Sequence, residues 1–125
     1  MKTSILPDYW KTFVEKHSLV GTEIDFPWPG DGDSMATVEI LGDEYVEEEA
    51  KEHWPGIGVF QDGFVPVGAC SVGTGDPYFI NTNDGPNGPL YKIDHERVSP
   101  DGYNRDEAVE TMLEHYEDLL KYIIK

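Results

Sequence analysis

Residues 57–68, Ile57-Gly58-Val59-Phe60-Gln61-Asp62-Gly63-Phe64-Val65-Pro66-Val67-Gly68, place two short apolar runs on either side of an aspartate-glycine pair. Such a pair favours a two-residue turn, because both turn positions must accept positive φ. The stretch predicts a hairpin of 57–61 with 64–68. Pro66 has no N–H to give a ladder, so it predicts an edge strand or a bulge. Two further strands, 78–82 and 89–94, follow around the turn-rich segment Asn83-Asp84-Gly85-Pro86-Asn87-Gly88. Together 57–94 reads as an antiparallel meander with turn signals at close intervals.

Outward from the meander, the clearest element is the last. Asn104 and Glu107 make a capping-box pattern. Ala108, Val109, Met112, Leu113, Tyr116, Leu119, Leu120, Ile123 and Ile124 form an apolar stripe at helical spacing, so a helix over 104–124 is expected. Near the start, Pro7 and Asp8 suit a first helical turn, and Tyr9, Trp10, Phe13, Val14 and His17 share one face of a helix over 7–17. A short strand is expected at 22–26, a loop at 27–34, a strand at 37–41, and a surface helix from Asp43 to about residue 53 with few apolar positions, Tyr45, Val46 and Ala50. Helices and strands in this order predict one α+β domain over 1–125. It would have a single antiparallel or mixed sheet of about five to six strands, packed by an N-terminal and a C-terminal helix.

The chain has 125 residues, 25 acidic against 9 basic, for a net charge of −16. The acid is spread throughout: residues 1–62 carry 14 carboxylates and residues 63–125 carry 11. Such a surface repels phosphate backbones and anionic leaflets, and favours a cationic protein surface or metal ions. Cys70 stands alone, so no internal disulfide forms. No apolar run resembles a leader or a membrane span, which leads to the expectation of a reducing cytoplasm.

Motifs for chemistry are weak. Asp31-Gly32-Asp33-Ser34 starts like a calcium loop, but Ala36 and Gly42 stand where glycine and glutamate are needed, and a solvated turn is the better reading. Ala69-Cys70-Ser71-Val72-Gly73 misses one glycine of a nucleophile elbow, and more loop follows it. Gly73-Thr74-Gly75 lacks the lysine and helix of a phosphate loop, and Asp76 would repel phosphate. His17, His53, His95 and His115 have no ligand spacing. The expectation is a non-enzyme without metal or cofactor.

Four blocks together resemble the SUKH superfamily, the Smi/Knr-like proteins. Leu6-Pro7-Asp8-Tyr9-Trp10-Lys11-Thr12-Phe13 is similar to its opening helix. Phe64-Val65-Pro66-Val67-Gly68 and Gly75-Asp76-Pro77-Tyr78-Phe79-Ile80 are similar to its apolar strand ending in glycine and to its Gly-Asp-x-Tyr strand. Gly88-Pro89-Leu90-Tyr91-Lys92-Ile93-Asp94-His95 is similar to its strand ending in Asp-His. The segment 27–56 departs from the family pattern. The resemblance implies an α+β fold without enzymatic activity. In bacteria it implies an immunity protein that neutralises a toxin domain; some relatives are regulatory adaptors instead. Gly75, Asp76, Tyr78 and Asp94 fall on motif positions and read as structural.

Charge and resemblance point the same way. A nuclease or other nucleic-acid-targeting toxin is basic around its site, and an acidic protein is steered to it. The expected partner is a cognate toxin with a basic surface, bound by a monomer or weak homodimer, with neither nucleic acid nor membrane engaged. Asp31, Asp33, Glu44, Glu47, Glu48 and Asp62 are the expected charges of the contact, and Trp28 and Trp54 its buried anchors.

Overall fold

The computed structural model describes residues 6–28, 31–52, 56–70 and 77–122. The elements run in chain order α1 (Asp8–Lys16), β1 (Glu23–Trp28), β2 (Asp31–Ile40), α2 (Asp43–Glu52), α3 (Gly56–Val59), β3 (Phe64–Cys70), β4 (Tyr78–Asn81), β5 (Leu90–Ile93), α4 (Arg105–Ala108) and β6 (Val109–Leu113). Short 3-10 segments lie at Phe60–Asp62, Thr82–Asp84, His95–Arg97 and Tyr116–Tyr122. The six strands form one antiparallel sheet in sequential order, β1-β2-β3-β4-β5-β6.

Strand alternation gives the sheet two apolar faces. On one face Ile24, Phe26, Ala36, Val38, Ile40, Val65, Val67, Tyr78, Ile80 and Leu90 join the buried side chains of α1 and the 3-10 segment 116–122. Tyr116 is the meeting point: its ring lies 5.0 Å from both Trp10 and Phe13 and stacks on Tyr9 at 6.5 Å. On the other face Phe64, Phe79, Tyr91 and Ile93 pack with Val59, Val98 and Ala108. The buried strand residues of that second cluster come from β3, β4 and β5, and Val109 of β6 packs against it.

Several expectations hold. Residues 8–16 are helical and bury Trp10, Phe13 and Val14. The strand expected at 22–26 extends as β1, and the acidic helix runs over Asp43–Glu52 with Val46 and Ala50 buried. Gly68 is needed where β2, β3 and β4 meet, since a Cβ there would collide with Val38 Cγ2.

Three expectations are corrected, and that for Pro66 is met by one of its two alternatives. The loop expected at 27–34 is instead strand at Pro27 and Trp28 and from Asp31 onward: β1 pairs antiparallel with β2, with a register shift between Pro27 and Trp28. The backbone of Asp31 to Ser34 is therefore extended, which is not the shape of a calcium loop.

The hairpin of 57–61 with 64–68 does not form. Residues 56–62 are helical, and only Gly63 of the aspartate-glycine pair takes a positive φ, +95°. The Asp62 carbonyl accepts the side-chain amides of Asn81 and Asn83, and Thr82 N–H donates to the Gly63 carbonyl at 2.9 Å. The turn thus ends a helical segment and leads the chain into β3 beside β4.

Pro66 does mark a bulge, but β3 is an interior strand, not an edge.

The long C-terminal helix is replaced by one turn of α4, then β6, then 3-10 backbone. Asn104 caps α4 as expected, its Oδ1 accepting from Asp106 N–H at 3.0 Å. The chain then leaves the helix because β5 needs a neighbour on its open side, and backbone groups left without one are costly. The pairing sets Lys92 opposite Glu110 and Tyr91 opposite Thr111, an opposite-charge pair and an aromatic–β-branched pair, both favourable across strands. Ala108, Met112, Tyr116 and Leu119 are buried all the same. A helical stripe and this bent path bury the same residues.

Candidate binding surface

Among the described residues, no hydrophobic side chain is buried on the outer face of β1 and β2, where Pro27 and Met35 are exposed. Between buried Ile24 and Phe26 on β1, Glu23 and Asp25 point the opposite way and are exposed, as Glu39 is on β2. Glu23 and Glu39 are direct register partners, and so are Asp25 and Thr37. Thr37 Oγ1 donates to Asp25 Oδ1 at 2.6 Å, which fixes one carboxylate of the row. Arg97 pairs with Asp94 and Glu107, and Lys121 with Asp118.

At the end of this face a groove of about 420 Å³ is lined by Val20, Gly21, Glu39, Ile40, Leu41, Gly42 and Tyr45. Gly21 N–H donates to the Ile40 carbonyl at 2.8 Å, tying the turn after α1 to the end of β2. Tyr45 N–H and Val46 N–H both reach the Gly42 carbonyl, which starts α2 beside that turn. Val20 is 54% exposed and Tyr45 63%. Glu48 and Glu52, three and seven residues beyond Tyr45 on the same helix face, are exposed.

A second cleft, about 500 Å³, lies on the far side between Gln61, Asp62, Phe64, Gly102, Tyr103 and Arg105. Arg105 sits over the Phe64 and Tyr91 rings at 5.1 and 5.7 Å. Tyr103 donates to Asp62 Oδ2 at 2.6 Å, and Tyr91 to Asp84 Oδ2 at 2.8 Å. Burial first, then these carboxylates, raises both phenols, Tyr91 to about 12. Asp62 is exposed, yet its carboxylate is already held by Tyr103, and Arg105 lines the same cleft.

The expected contact residues scatter. Glu47 and Glu48 lie on α2, while Asp62 lies in the other cleft. Trp28 ends β1, Asp31 and Asp33 lie on β2, and Glu44 lies on α2, but these four side chains are outside the described residues; so is Trp54 altogether. Of the motif positions, Tyr78 is fully buried, and Asp94 Oδ1 accepts from Glu96 N–H at 2.9 Å while Oδ2 pairs with Arg97 at 3.4 Å. Gly75 and Asp76 are outside the described residues. Sequence reasoning passed over Glu23, Asp25, Glu39, Val20 and Tyr45. Alternation within 23–26 and 36–40 carries the signal for the three carboxylates.

Comparison with protein-family models, with curated proteins and with solved structures found no match. Among the described residues no group of histidine, cysteine and carboxylate side chains is placed to hold a metal, and no helix is long and apolar enough to cross a membrane.

Proposed function

We propose that this chain is a non-catalytic immunity protein of the SUKH kind, which binds and neutralises a cognate bacterial toxin domain in the cytoplasm. Its target is a basic domain, a nuclease or another toxin acting on nucleic acid, whose substrate entrance it covers with an acidic surface. The observation that carries this reading is the exposed carboxylate row on the outer face of β1 and β2. There Glu23, Asp25 and Glu39 are exposed, as Glu48 and Glu52 are on α2, in a chain of net charge −16. Opposed fields speed association by roughly 10–10³-fold at low salt, and occlusion then needs no chemistry from the inhibitor.

The test is co-expression with the toxin domains encoded beside it. Growth is restored and a complex survives gel filtration in moderate salt if the reading is right. No rescue and no complex with any neighbouring domain overturns it. Capture of a non-toxic cellular regulator in the same assay would favour an adaptor role instead.

A further inference from the structure

We infer that the groove between Val20 and Tyr45 is the anchor pocket of a docking surface for a basic protein, seating one aliphatic or aromatic side chain while lysines or arginines around it meet Glu39 and Glu48. The inference rests on the immunity reading and locates its contact. Single exposed apolar side chains are ordinary on any surface. Here two of the four large hydrophobics most exposed among the described residues line one groove, and Leu41 and Ile40 form its wall. Exposed Glu39 of β2 is part of its lining, and exposed Glu48 stands three residues beyond Tyr45 on α2. An apolar centre inside a charged rim is the usual anatomy of a protein contact, and tyrosine is among its common anchors.

Charge complementarity selects the occupant. A second copy of this chain would bring carboxylates against carboxylates. Nucleic acid and an anionic bilayer fail for the same reason. A basic protein segment with an apolar residue at its centre satisfies both wall and rim.

The probe is a short lysine-rich peptide with one central phenylalanine, titrated into the full isotope-labelled chain and followed by amide shifts. Its counterpart carries alanine at the centre. Shifts should concentrate at Val20, Leu41, Gly42 and Tyr45, and the phenylalanine peptide should bind about tenfold tighter than the alanine peptide. Val20→Glu makes the chain still more acidic, yet should weaken the phenylalanine peptide about tenfold and leave the alanine peptide no weaker. Tyr45→Ser, at an exposed position, should weaken the phenylalanine peptide in the same direction without added charge. Equal affinity of the two peptides, shifts spread over the acidic surface, or tighter binding of both by Val20→Glu overturns the inference.

Growth rescue separates this inference from the reading beneath it. Rescue by the wild type that is lost in Val20→Glu supports the groove. Rescue that persists in a folded Val20→Glu overturns the groove and keeps the immunity role. Selective peptide binding at the groove without any toxin rescued supports the groove and overturns the immunity role.

Discussion

Glu23 and Glu39 stand directly opposite one another across the β1–β2 ladder, two like charges at one register position on the exposed side of the sheet. Like charges so placed oppose pairing.

Glu39→Lys should therefore stabilise the free protein by about 0.2–1 kcal/mol, by turning a repulsive pair into an attractive one. Urea unfolding at low and high salt checks it: the gain shrinks as salt screens the charges. The same substitution should weaken binding to any basic toxin, so stability and affinity move in opposite directions.

Gly68→Ala should cost about 1–3 kcal/mol, the range for forcing extra atoms into a packed interior. The added methyl meets Val38 Cγ2 and approaches the Glu39 carbonyl at 3.2 Å. Val38→Ala should recover part of the loss in the double variant, read from denaturation midpoints.

Tyr91 holds its proton more tightly in the fold than in the unfolded chain, whose phenol titrates near 10. For an acid raised in this way the stabilisation is complete below pH 10 and falls away as pH climbs through about 12. Stability measured between pH 9 and about 12 should decline, and Tyr91→Phe should flatten the decline. At neutral pH the variant should lose about 1–2 kcal/mol with its bond to Asp84.

Thr111→Ala tests the backbone of the last segment. Facing Tyr91 across β5 and β6, threonine suits a strand, and its loss should destabilise by about 0.2–1 kcal/mol. In a helix the same change would stabilise, because alanine is the better helix former. The sign of the change in melting temperature decides.

The contrast at Thr111 also shows what is legible in such a sequence. Burial was: Trp10, Phe13, Val14, Val38, Ile40, Val65, Val67, Met112, Tyr116 and Leu119 are all core residues. Backbone state was less so wherever two paths bury the same side chains. The spacing of Ala108, Met112, Tyr116 and Leu119 fits a helix, but the unmet ladder of β5 lies elsewhere in sequence and decides for a strand. Asp62-Gly63 carries a turn signal, yet whether it folds back or ends a helix depends on Asn81 and Asn83, distant residues that take the Asp62 carbonyl. The candidate surface was legible as charge and not as place. Tyr45 reads as a sparse core position on an acidic helix, and only the turn from Gly21 to Ile40 brings it beside Val20.

The sequential strand order has a kinetic consequence. Each strand's partner is the one just made, so strands can pair in the order of synthesis, with the longest closure the helical stretch between β2 and β3. The aromatic face of α1 is the exception: Trp10 and Phe13 wait for Tyr116, near the opposite end of the chain. Loss of the final segment would then leave a finished sheet with an unsealed hydrophobic seam, visible as dye binding by a chain whose strands are intact.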